Sequence, residues 1–422
     1  MTVHPDAVVL ETALLADPPA LRARLGSDAP VHRVVLPDGM PSWLVTGNDA
    51  IRQALNDPRI VRDAAAAAPG LREHLGLASD DFVLTRHMLF ADPPDHTRLR
   101  RLVSRAFTAR RIERLRPRVT ELAHGLIDAF AGRGRADLVA SLALPLPVAV
   151  ISELLGVPAA DRARFERRAE IITGAGTSSD AAELAAAGQW FDCYLIDLVE
   201  RRRREPGDDM ISAMLAVQEQ DDRLTDVEVR SNAFLLLAAG FETSVNLIAN
   251  GVLALLRHPG QLAGLRADRG LMRSAVEELL RYDSPVSSIT YRFARERTSI
   301  AGTVIEAGEH IALSPPCGNH DTAKFTAPER LDLRRRGNAH VGFGHGIHFC
   351  LGAPLARLEG EVVFGAVLDR LPGLALAVPA EELTWKETFI VHRLDSLPVT
   401  FTPARPASGH RPEAALHDAV SG

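Results

Sequence analysis

Lysine is almost missing from this chain: Lys324 and Lys386 are the only two among 48 basic residues. With the abundant alanine, that bias is a habit of GC-rich bacterial genomes rather than a physical requirement. Cysteine is nearly as scarce. Cys193, Cys317 and Cys350 are far apart and form no CxxC pair, which argues against a disulfide framework and suits a reducing cytoplasm. The opening residues carry neither a basic region nor a long apolar run, so no signal peptide or anchor is expected. A net charge of −6 gives no global reason to bind nucleic acid or an anionic membrane. No repeat or low-complexity linker interrupts residues 1–402, which read as one domain although 422 residues would accommodate two or three. Residues 403–422, rich in Pro, Ala and Gly, read as a disordered tail.

What is there is mostly amphipathic helix. RLRRLVSRAF, VTELAHGLIDAFAG, PLPVAVISELLGV, FDCYLIDLVERRRR and the stretch from Val227 to Leu256 all carry helical periodicity. Strand-like runs are short and cluster near the N-terminus (VHRVVL, SWLVTG) and over residues 288–313, with one more at LPVTF. The expectation is a mainly α fold with small β-sheets, built around one long central helix.

That helix resembles a membrane span by composition, with Glu242 as the only charge in SNAFLLLAAGFETSVNLIANGVLALL. Asn232, Gly240, Thr243, Ser244, Asn246 and Asn250 are too polar for hydrocarbon, and Thr225 with Glu228 offers a capping box upstream. It reads as a buried core helix. Its middle is unfavourable: Gly240 costs roughly 1 kcal/mol relative to Ala. Thr243 can bond back to the preceding turn, and Glu242 would be a buried carboxylate. Together these suggest a widened turn kept for chemistry, with a packing kink as the plain alternative.

Cys350 ends the stretch HVGFGHGIHFC. It could be a catalytic thiol with His345 or His348 as base, although no third orienting group is visible. It could share zinc with the same histidines, although no second Cys/His cluster completes the site. It could also be the thiolate ligand of a haem. Gly344, Gly346 and Gly352 would then let the backbone approach a flat macrocycle and turn N–H groups to the sulphur. The helix-like run beginning LGAP would favour the thiolate by its dipole, and Phe343 would shield it.

Four ordered motifs bear on that choice. Phe343 to Gly352 resembles the FGxGxHxCxG haem-binding signature of the cytochrome P450 family. Ala239-Gly240-Phe241-Glu242-Thr243 resembles its AGxET, Glu278 to Arg281 its ExxR, and His96 to Arg100 its HxxxR. The resemblance runs from about residue 40 to 402 and implies a soluble haem-thiolate monooxygenase with Cys350 on the iron. It implies haem b, with His96, Arg100, Arg292 and His348 at the propionates and Ala239, Gly240 and Phe343 against the macrocycle. Glu242 and Thr243 are implied to deliver protons and to hydrogen-bond dioxygen. Glu278 and Arg281 are implied to lock a loop arginine, read here as Arg330, and so to hold the cysteine loop. NHD at 319–321 departs from the usual NRD, and a local effect is expected.

By the same analogy the substrate would touch Leu84, Met88, Leu89, Leu235, Ala239, Val286, Ser287, Ser288, Ile289, Ile390 and Val391. The mostly aliphatic set implies a bulky, largely apolar secondary metabolite, a macrolide or other polyketide, with terpenoids and steroids as the alternative. GAGTSSDAAELAAAG reads as a flexible lid. Nine arginines against one acid over residues 98–118 form a basic face. The resemblance assigns it to an acidic ferredoxin, with electrons from NAD(P)H through a ferredoxin reductase. Nucleic acid is the rival reading of that face. A peroxide-driven peroxygenase and a haem-based gas sensor are the rival functions; the Glu242-Thr243 pair favours neither. A cytoplasmic monomer is expected.

Overall fold

In a computed structural model, the described residues are 6–26, 29–74, 86–173, 181–219, 222–386 and 388–403. Residues 404–422 of the expected disordered tail, residues 174–180 of the expected lid and Leu84 therefore lie outside them.

The strand-like runs pair as their apolar alternation allows. Strands β1 (Val8–Val9), β2 (Val31–Val35), β3 (Pro41–Val45), β4 (Ile60–Val61), β5 (Ile289–Ala294) and β6 (His310–Leu313) form one sheet in the order β1-β2-β3-β6-β5-β4. β2–β3 and β5–β6 are antiparallel, and β6 joins the two halves by running parallel to β3. LPVTF contributes a strand, Pro398–Thr400, to a separate three-stranded sheet. Two short two-stranded sheets aside, the remaining elements are helices. Those that build the site are α1 (Asp95–Ala106), α2 (Asp226–Gly240), α3 (Glu242–Arg257), α4 (Met272–Tyr282) and α5 (Ala353–Arg370).

The expected long central helix runs from Asp226 to Arg257, interrupted at Phe241. Thr225 and Glu228 form the capping box in both directions, at 3.3 and 2.8 Å, and start α2. The helix then breaks at Phe241 and resumes as α3. The segment 226–257 is long and apolar enough to cross a membrane, yet 67% of its most apolar window is buried inside the fold. Helix α5 packs on α3, α4 and the helix Arg116–Ala131. Close approach explains Gly251: a Cβ there would stand 2.5 Å from the Phe364 ring of α5.

Candidate active site

The cysteine loop is fixed before the cysteine is placed. Glu278 and Arg281, three apart on α4, are fully buried and meet at 2.8 and 2.9 Å. Arg281 also donates to the carbonyls of Asn319, Pro328 and Arg330. The arginine that closes this network is Arg335, not Arg330. Arg335 Nε lies 3.0 and 3.1 Å from the two Glu278 oxygens. Arg330 contributes only its carbonyl, and the residue is exposed. Asn338 and the amide of Asp332 saturate the same carboxylate. Asn319 in turn accepts the Val341 amide at 2.7 Å, tying the start of the loop down. His320, the departure from NRD, bonds the Pro316 carbonyl one turn back at 3.0 Å.

Past Val341 the chain turns through Gly344 and Gly346 at φ +70 and +69, where L side chains are strained. At Gly346 a Cβ would also meet the Leu55 carbonyl at 2.6 Å. The Cys350 amide donates to Phe343 O at 2.9 Å, and the sulphur accepts the amides of Gly352 and Ala353 at the start of α5. Burial pushes the thiol up, while those amides, Arg100 and Arg357 oppose it. Phe343 packs beside the loop beneath the Arg357 guanidinium, which stands 4.6 Å from its ring.

Cys350 opens on a cavity of roughly 270 Å3. The cavity brings together His96, Arg100, Ala239, Gly240, Thr243, Arg292, Phe343, His348 and Cys350 from four separate stretches of chain. Thr243 donates to the Ala239 carbonyl at 3.0 Å, the back-bond that accompanies the helix break. Glu242 points to the far side, where Arg393 Nη1 lies 3.4 Å from its carboxylate. Burial raises its carboxyl above the usual range and Arg393 partly reverses the shift.

Of the expected substrate contacts, Met88, Leu89, Leu235, Ala239, Val286 and Ile289 line this cavity. Ser287, Ser288, Ile390 and Val391 do not. A bridge between Val286 and Val391, and the bond from Ser287 N to Ile390 O at 2.9 Å, lay the two segments side by side. That pairing leaves the two serine side chains buried, Ile390 38% exposed, and Val391 on an outer groove. Sequence reasoning missed Ile151, Leu236 and Leu247 in the lining, and also Arg62. It missed Glu359 as well: fully buried on α5, hydrogen-bonded to Ser244, its carboxyl is pushed up to about 7 by burial.

The rival readings of Cys350 lack partners. Among the described residues no three His, Cys, Asp or Glu side chains are placed to share a metal ion. His345 is engaged by Arg52 at 3.1 Å, and His348 packs against His96 with ring centres 4.2 Å apart and planes tilted by 51°. The chain's own groups fit haem. Both ring nitrogens of His96, Nε2 of His348 and Nε of Arg292 are buried without a hydrogen-bond partner, a donor set suited to two carboxylates. Burial, with the neighbouring arginines, holds His348 down at about 2, and burial holds Arg292 at about 10 with Asp92 opposing the shift.

The family description "Cytochrome P450" matches residues 179–372. The chain is 46% identical over 405 residues, 95% of each chain, to cytochrome P450 monooxygenase PikC of Streptomyces venezuelae. It is 46% identical over 382 residues, 90% of this chain and 93% of the other, to the vitamin D(3) 25-hydroxylase of Pseudonocardia autotrophica. The solved structure of the bacillaene polyketide synthase cytochrome P450 PksS of Bacillus subtilis 168 superposes with a TM-score of 0.86 at 39% identity, covering 92% of this chain and 98% of that one. With its cysteine loop, buried Glu278–Arg281 lock and broken central helix accounted for, the chain belongs to the cytochrome P450 family of haem-dependent monooxygenases.

Proposed function

We propose that this monooxygenase inserts one oxygen atom from dioxygen into a C–H or C=C bond of a bulky, largely apolar secondary metabolite, such as a macrolide or other polyketide. The observation that carries this reading is the cavity lining. Apart from the arginine–histidine cluster and the cysteine loop, its lining is mostly aliphatic or aromatic, and among the described residues Thr243 and Ser244 supply its only side-chain hydroxyls. The polyketide association of PksS favours this class. The vitamin D(3) 25-hydroxylase favours the second reading, a steroid-like or terpenoid substrate.

Haem b held by Cys350 would supply dioxygen activation, with the thiolate favouring O–O cleavage. The chain's part is to manage protons and water. The Thr243 hydroxyl, resting on Ala239 O, needs only a rotation about χ1 to offer its hydrogen to the cavity. Glu242 holds a proton more readily than an exposed glutamate because it is buried, and Arg393 limits that gain. Glu359 exchanges its proton near neutrality and reaches the cavity through Ser244. This provision for protons supports the dioxygen route over a peroxygenase or a gas sensor.

Electrons would come from NAD(P)H through a ferredoxin reductase and a ferredoxin docking beside Cys350. Ile347 and Phe349, 50% and 40% exposed, flank the cysteine there. The neighbouring basic run is largely paired: Arg98 with Glu228, Arg111 with Asp208, Arg116 with Glu361 and Arg118 with Glu153. That pairing speaks against a nucleic-acid face. The reading also takes the protein to be a cytoplasmic monomer, with residues 1–402 as one domain.

Spin-state titration tests the substrate class. The proposal expects a macrolide or polyketide panel to drive the low- to high-spin shift at micromolar concentration. A shift driven by secosteroids or terpenoids alone would move the assignment to the second reading.

A further inference from the structure

The corner of the cavity that faces His96 and His348 holds one more cation than the set the resemblance assigns to the propionates, His96, Arg100, Arg292 and His348. Arg62 follows β4 directly and is 8% exposed, with Nε buried and unbonded. It lines the cavity with Arg292, Arg100, His96 and His348. Among the described residues no carboxylate forms a salt bridge with it, although Asp92 attracts it at longer range. The nearest is Asp92, but both its oxygens accept backbone amides, from Arg62 at 3.1 and 3.0 Å and from Asp63 at 2.8 Å. Asp92 therefore fixes the backbone beneath Arg62 and leaves the guanidinium free to face the cavity.

A buried arginine without a paired anion is costly, and Arg292 repels this one while Asp92 offsets only part of that cost. Such an arrangement persists only where something anionic completes it. The charge count names what that is. Arg62, Arg100 and Arg292 against Asp92 leave two positive charges at this corner, and haem brings two propionates. Its ferric, dianionic core and the Cys350 thiolate cancel each other. We infer that Arg62 is a carboxylate-binding residue of the cofactor site, a third arginine that holds the haem propionates together with Arg292 and Arg100.

The inference rests on the haem reading, so each protein is first shown to give the thiolate-type band of the reduced carbon monoxide complex. The readouts are then the propionate bending modes in the resonance Raman spectrum and the rate of haem transfer from holoprotein to excess apomyoglobin. Loss of one charge-assisted hydrogen-bonding partner should speed transfer by roughly 10- to 100-fold. In Arg62→Met the transfer rate should rise by that factor and the propionate modes should shift. Arg62→Lys, which keeps the charge and tests the site even where Arg62→Met fails to accumulate, should fall between the two. Faster haem loss with propionate modes unchanged in both variants would show a structural role only and overturn the inference. Unchanged rates and modes would overturn it equally.

Discussion

Arg335 closes on Glu278 at 3.0 Å across 57 residues of chain, and through it the loop that leads to Cys350 is tied to α4. Both residues are nearly or fully buried, and Glu278 accepts from Arg281, Arg335, Asn338 and the Asp332 amide at once. Removing one partner of such a network leaves buried charge uncompensated, at about 3–5 kcal/mol.

Arg335→Ala and Glu278→Gln should therefore abolish or sharply reduce haem incorporation, read as the ratio of Soret to protein absorbance. Arg330→Ala should leave that ratio unchanged, because only the Arg330 carbonyl takes part. Equal loss in both arginine variants would restore Arg330 to the lock.

The contrast marks how far the sequence carried. The cysteine loop, the pair on α4 and the broken helix were legible because each is a local pattern whose residue types have a mechanical reason: glycines at positive φ, an i,i+3 ion pair, a threonine bonding back one turn. The short strands and the capping box were legible for the same reason. Arg335, Arg393 and Arg62 were not, because each reaches the site across a tertiary contact that periodicity does not encode. Arg393 lies 151 residues from Glu242. Glu359 stood in plain view after the cysteine, but only its packing shows that it is wholly buried. The serine and Ile390 contacts went astray because analogy supplies a segment, while the pairing of that segment with 390–391 decides which way its side chains face.

Thr243→Ala should uncouple the enzyme: NAD(P)H consumption persists while product per electron pair falls and peroxide rises. The hydroxyl that rests on Ala239 O is the group lost. Unchanged coupling would mean that Thr243 takes no part in proton delivery, leaving it to another group or to the substrate.

Arg393→Gln removes the cation that opposes the burial shift on Glu242. The Glu242 carboxyl should then rise further, and the limb of the pH–turnover profile that it governs should move to higher pH. A profile that stays in place would detach Glu242 from the rate.

Glu359 gives a stability prediction with a definite sign. Its folded value of about 7 lies above its ordinary value of 4.5, so the folded protein binds the extra proton between them. Its contribution is fully present below about 4.5 and is lost as pH rises through 7, amounting to roughly 3 kcal/mol at most. Glu359→Gln should flatten that fall, so its denaturation midpoint should gain on the parent's as pH rises across the window. Parallel curves would contradict the assignment.

Turnover supported by ferredoxin should fall steeply with ionic strength, while spin-state binding of substrate should not. Salt-independent turnover would remove the charged docking face from the account.

The most direct test of the whole account is the absorption spectrum of the dithionite-reduced protein under carbon monoxide, measured on the parent and on Cys350→His. The account predicts a Soret band far to the red of the globin position in the parent and its loss in the variant. A histidine-type band in the parent, or no haem band at all, would contradict it.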